Sequence, residues 1–177
     1  MKTLRLVVLL LAGLTAAVLR AADDEIAAST KTRVGDSAPL FSGTAVTGET
    51  YSLAQLKGKV VVLSLFATWC GPCNTELPHV EKELWQAFRA RGLVVLAAAR
   101  EEGPDKLKPF AAKLGLTFPL LSDPGRGIFS QFATADIPRL YVIGADGRIK
   151  FQSVGFDEAE FRRALAAVER ELAGAAR

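Results

Sequence analysis

The sequence predicts an α/β fold: a central mixed β-sheet flanked by helices, with a β-hairpin extension on its N-terminal side. Two observations carry that expectation. Apolar runs at Val60–Phe66 and Leu93–Ala99 have the length and content of buried strands, and each is followed by a segment with helical start and stop signals. Strands separated in this way by helices lie parallel. After residue 139 the pattern changes to two short runs around Ala145-Asp146-Gly147, the signature of an antiparallel hairpin. Parallel strands joined to an antiparallel pair make the sheet mixed.

The elements follow in chain order. Lys2 and Arg5 precede the fourteen-residue apolar run Leu6–Leu19, and small residues follow before Asp23-Asp24-Glu25. This is the composition of a signal peptide over residues 1–22. The run falls short of the about 20 residues a membrane span needs, which favours cleavage over an uncleaved anchor. Residues 23–33 are polar and read as a linker, and 34–177 as a single domain. Within that domain Ala38–Phe41 is extended, Thr44–Leu53 is a hairpin turning near Thr47-Gly48, and Leu53–Leu56 is a helical turn before Lys57-Gly58-Lys59. Asn74–Arg91 reads as a helix, bent at Pro78 and ended at Gly92, with Arg89 and Arg91 in its last turn. Pro104-Asp105 open a helix to about Lys113, which Gly115 closes, and Leu116–Leu121 is extended before the turn Asp123-Pro124-Gly125. Asp157 caps a last helix whose Phe161, Leu165, Val168 and Leu172 form a core-facing stripe.

Composition bounds the function. Half the residues are hydrophobic and 23% are charged, as in a folded globule. The formal net charge of +3 comes from the leader: without Lys2, Arg5 and Arg20, nineteen basic residues face nineteen acidic ones. A mature chain near neutrality gives no support for nucleic-acid binding, which needs a clustered basic face.

Both cysteines stand together in Phe66-Ala67-Thr68-Trp69-Cys70-Gly71-Pro72-Cys73, at the junction of a strand and a helix. The first N–H groups of a helix lack intrahelical partners and its dipole is positive there, so a thiolate at that end is stabilised over the thiol. Cysteine pKa values in such motifs fall from about 8.5 to between roughly 3.5 and 7.5. Cys70, the outer residue, is the candidate nucleophile, and Cys73, one turn further in, is placed to resolve a mixed disulfide. Two plainer uses compete. A structural disulfide closing so short a loop stabilises little, and a zinc site wants four ligands where the chain offers two Cys and the single His79. No cofactor or metal is expected.

Trp69-Cys70-Gly71-Pro72-Cys73 after an apolar strand resembles the active site of the thioredoxin superfamily, and the resemblance implies a thioredoxin-like fold. Gly35-Asp36-Ser37-Ala38-Pro39-Leu40-Phe41, Leu53–Lys59 and Cys73-Asn74-Thr75-Glu76-Leu77-Pro78 narrow it to the TlpA/ResA branch of extracytoplasmic thiol-disulfide oxidoreductases, over roughly residues 33–172. By that resemblance Pro138 matches a cis-proline facing the Cys-x-x-Cys, with Ile137 backbone groups beside the sulfurs, and Glu76 matches an acid that serves Cys73. Ser64 occupies the place of thioredoxin's strand aspartate, and Arg139 stands where relatives often carry Thr. Trp69 would shield the site, Gly71 spare it bulk and Pro72 fix its backbone.

The same resemblance implies an exported enzyme, periplasmic or secreted, that reduces disulfides in exported proteins and is recharged by a membrane electron donor. Two alternatives stay open. Gly35–Pro39 and Cys73-Asn74-Thr75-Glu76 also resemble peroxiredoxins, although Cys70 stands where that pattern has threonine. A redox-linked binding module for protein maturation is the other, and inert cysteines would mark it.

Overall fold

The computed structural model describes residues 24–175, so the leader expected at 1–22 lies outside the described residues. A hairpin opens the domain, β1 (Ser42–Thr44) pairing antiparallel with β2 (Thr50–Ser52), and a 3-10 turn at Leu53–Leu56 follows. The main sheet contains β3 (Val61–Phe66), β4 (Val94–Arg100), β5 (Leu120–Asp123), β6 (Arg139–Ile143) and β7 (Ile149–Val154) in the order β5-β4-β3-β6-β7. β3, β4 and β5 are parallel, and β6 and β7 join antiparallel, so the sheet is mixed as its sequence pattern predicts. The helices packed on it include α1 (Gly71–His79), α2 (Pro104–Leu114), the short α3 (Phe129–Phe132) and α4 (Glu158–Ala175).

Alternation along β3 explains how the two faces are filled. Val62, Ser64 and Phe66 point to the face covered by α1, α2 and α4, where they meet Leu77, Val80, Leu107, Phe110, Phe161 and Val168. Val61, Leu63 and Leu65 point to the opposite face, where Phe41, Leu53, Phe129 and Phe132 complete a second core. Every residue of β3 is buried because the strand is covered on both sides. Short-range sequence signals do not mark α3. Its four residues are too short for periodicity, and its start is organised by distant chemistry: the buried Asp123 carboxylate accepts the N–H groups of Ile128 and Phe129 at 3.0 and 2.8 Å.

The start expected for the helix after the cysteines needs correction. The helix beginning at residue 74 starts at Gly71, because Cys70 serves as its N-cap and Pro72 suits the first turn. Pro78, where a bend is expected, lies inside α1, and a π-helical stretch, Val80–Trp85, follows it before the helix resumes and closes at Gly92 with φ 91°. A proline lacks the N–H for the regular ladder, and a π-turn re-registers that ladder without ending the helix.

The segment read as a linker is docked instead. Residues 24–29 are helical, Ser29 and Thr32 are buried, and Lys31 N–H donates to the Phe132 carbonyl at 2.9 Å. Its polarity misled because the partners of its hydroxyl and backbone groups lie about a hundred residues away. Among the described residues no helix is long and apolar enough to cross a membrane.

Leu77 seats α1 on the sheet and is wholly buried. Leu77→Ala is expected to cost about 2–5 kcal/mol of unfolding free energy, read from the shift in urea midpoint at unchanged slope.

Candidate active site at the sheet–helix junction

β3 delivers the chain to Ala67, Thr68 and Trp69, and α1 takes it away from Cys70. Cys70 and Cys73 are joined by a disulfide with Cα atoms 5.2 Å apart. The Cys70 sulfur also accepts the Cys73 N–H at 3.2 Å, so it satisfies one of the orphan donors of the helix end. No acidic residue stands in the first turn of α1 to offset the positive end of the helix. Cys70 keeps 5% of its surface accessible and Cys73 none, which makes Cys70 the sulfur a partner reaches first.

Around the pair, Gly71 and Pro72 are exposed, and a Cβ added to Gly71 would meet nothing within 4 Å. The surface beside the disulfide is therefore open to a docking chain. Trp69 is 64% exposed, with the Arg100 guanidinium 6.0 Å from its ring centre, so it presents an aromatic face to solvent. The Ile137–Pro138 peptide bond is cis, and the Ile137 carbonyl oxygen lies 3.8 Å from the Cys70 sulfur. Pro138 is buried and Ile137 partly so. Thus two segments about seventy residues apart in sequence meet at the disulfide.

Glu76 is buried beneath it. The residue lies one turn after Cys73 on the sheet-facing side of α1, and Ser64 Oγ donates to its Oε1 at 2.8 Å. Ser64 points to that side because alternation on β3 places it between Val62 and Phe66 on the helix face. Burial pushes the Glu76 carboxyl up to about 7, against the opposing pull of the Ser64 hydrogen bond. The strand serine thus partners the acid carried by the helix.

One supporting residue gave no signal in the sequence. Glu102, in the loop after β4, is buried and accepts both the Thr68 N–H at 2.7 Å and the Thr68 hydroxyl at 2.6 Å. It fixes the turn just before Trp69 and Cys70. Its spacing of thirty-four residues from Thr68 follows no local pattern. Among the described residues no group of three or more His, Cys, Asp and Glu is arranged to hold a metal. His79 is engaged elsewhere, its Nδ1 2.6 Å from Glu83 and its ring against Phe156 and Phe161.

Several known proteins are similar to this chain in sequence and fold. Residues 34–152 match the AhpC/TSA family. The thiol-disulfide oxidoreductase ResA of Bacillus thuringiensis is 33% identical over 125 residues, 71% of this chain and 72% of that protein. Among solved structures, a candidate protein disulfide isomerase from Bacteroides thetaiotaomicron is 33% identical with a TM-score of 0.78, covering 81% of this chain and 92% of its own. A thiol:disulfide interchange protein of the thioredoxin family from Chlorobium tepidum is 30% identical with a TM-score of 0.65, covering 80% and 99%.

The buried carboxyl makes stability pH-dependent. An acid raised from 4.5 to about 7 binds its proton more tightly in the native state, so stability falls as pH rises through that window, and the full cost of burying the charge is present above it. Glu76→Gln is expected to gain up to about 3 kcal/mol over wild type at pH 8, a gap that narrows toward pH 4.5 in urea titrations. A gap independent of pH would contradict the raised pKa.

Proposed function

The chain belongs to the AhpC/TSA family and is a thiol-disulfide oxidoreductase, and we propose that it acts outside the cytoplasm as a reductant of disulfides in exported proteins. The observation that carries this reading is the Cys70–Cys73 disulfide at the start of α1 with the Ile137 carbonyl beside the outer sulfur. Export is supported by the leader-like residues 1–22, and the reducing direction by the Gly71-Pro72 pair between the cysteines. In an oxidising compartment such a centre needs a dithiol donor at the membrane to restore it.

The steps balance without a cofactor. The Cys70 thiolate attacks one sulfur of the substrate disulfide, forming a mixed disulfide and releasing the other substrate sulfur as a thiolate. Cys73 then loses its proton and attacks the Cys70 sulfur, which forms the Cys70–Cys73 disulfide and frees the second substrate thiolate. Glu76, buried one turn beyond Cys73 with a pKa near neutrality, suits the acceptance of that proton. An extended substrate chain pairs with the Ile137 backbone, while Pro138 contributes no N–H of its own. Trp69 offers the partner an aromatic face.

Equilibration with glutathione buffers tests direction. A reductant has a potential nearer thioredoxin's about −270 mV than DsbA's about −120 mV, and a value at the oxidising end would overturn the reducing role. Cys73→Ser is expected to accumulate a mixed disulfide through Cys70, seen as a mass adduct that dithiothreitol removes. Rapid peroxide consumption by wild type that Cys73→Ser abolishes would favour the peroxidase reading instead.

A further inference from the structure

Immediately after Pro138 comes Arg139, the first residue of β6, and the fold buries it completely. A guanidinium does not lose its charge inside a protein, so burying one requires its donors to be matched. Nε donates to the carbonyl oxygens of Ala135 and Asp136, both at 3.0 Å. Nη1 donates to Thr30 Oγ1 at 2.8 Å and Nη2 to Ser29 Oγ at 2.7 Å. The Asp136 carboxylate lies 3.7 Å from Nη2 and accepts the Ser29 hydroxyl at 2.6 Å. One side chain thus grips two segments: the loop that ends in Ile137–Pro138, and the docked N-terminal stretch.

Both segments need the grip. Asp136 has φ 60°, in the left-handed region that few non-glycine residues adopt, aspartate being among those that do. The carbonyls of the two peptide units that flank the Asp136 Cα, those of Ala135 and Asp136, are the two that Nε holds. The N-terminal stretch runs antiparallel to the chain leading into the loop, with Thr30 bridged to Ala133 and the Thr134 N–H donating to the Ser29 carbonyl at 2.8 Å. Residues 29–31 are therefore laid along 132–134, and the pair of segments ends at the guanidinium.

We propose that Arg139 is a positioning residue for disulfide exchange: it holds loop 135–138 in register for an extended partner chain, with Ser29 and Thr30 as its second anchor. This rests on the reading that the partner pairs with the Ile137 backbone. Arg139 touches neither sulfur and acts only through the loop. The segment just after the leader is, by the same contacts, mechanically coupled to the exchange site.

The test compares how fast two thiols open the Cys70–Cys73 disulfide, followed by tryptophan fluorescence in stopped flow. One is an unstructured peptide carrying a reduced cysteine pair, which can use the loop backbone and whose second thiol resolves the mixed disulfide on Cys70 by closing the peptide's own disulfide, and the other is dithiothreitol, which resolves it in the same way but cannot use the loop. The peptide rate is expected to fall about tenfold in Arg139→Met and about threefold in Ser29→Ala/Thr30→Ala, as loss of charged and neutral hydrogen bonds implies, with the dithiothreitol rate within about twofold of wild type. Val168→Ala, a buried residue of α4, is expected to lower stability while leaving the ratio of the two rates unchanged. The proposal is overturned if both rates fall together, if neither changes in the double alanine variant, or if Val168→Ala shifts the ratio equally. Should Arg139→Met not fold, the double variant decides. Electron-flow direction is read separately from the potential, so its failure leaves this comparison intact.

Discussion

The seating of Cys70 at the N-cap of α1 is the constraint on which the rest of the molecule depends. The sulfur accepts the Cys73 N–H at the positive end of a helix that has no acid in its first turn, an arrangement that favours a thiolate there once the disulfide opens. The helix can present that end only because its other side is fastened to the sheet by Leu77, Val80 and Leu84, all buried against β3 and β4. Glu102 fixes the approach from the strand side through Thr68. A reactive sulfur is thereby held between two rigid elements rather than on a mobile loop.

The polar groups beneath and beside the disulfide follow one logic. Glu76 is buried on the helix side and finds Ser64 on the strand side, which leaves a carboxyl whose proton affinity suits the pH at which thiols exchange. Arg139 is buried on the loop side and finds carbonyls and hydroxyls from two segments. Each is a charged or ionisable group whose desolvation costs stability and whose polar atoms are matched by hydrogen bonds close to the disulfide.

Much of this was legible in the sequence because it depends on local signals. The strand before the cysteines, the Asp146-Gly147 turn, the Asp157 cap and the stripe on the last helix are all written in short-range patterns, and each is present in the fold. Gly115, with φ 65°, ends α2 as its position suggests. The pairing of residues 24–33 with the loop before β6 was not legible, since hydroxyls and backbone groups with distant partners look the same in sequence as those facing water.

By itself the sequence determined the order of elements and the placement of two cysteines at a strand-to-helix junction, because propensity, period and spacing are properties of neighbouring residues, while Glu76 was marked by family resemblance alone. Only the tertiary structure decided which distant residues complete the site. Ile137 reaches the Cys70 sulfur because β6 lies beside β3, Ser64 meets Glu76 because α1 packs on that face of the sheet, and Ser29 and Thr30 reach Arg139 because the N-terminal stretch folds back along residues 132–134. Contacts between residues far apart in the chain are set by the shared burial of whole elements, which no local window contains.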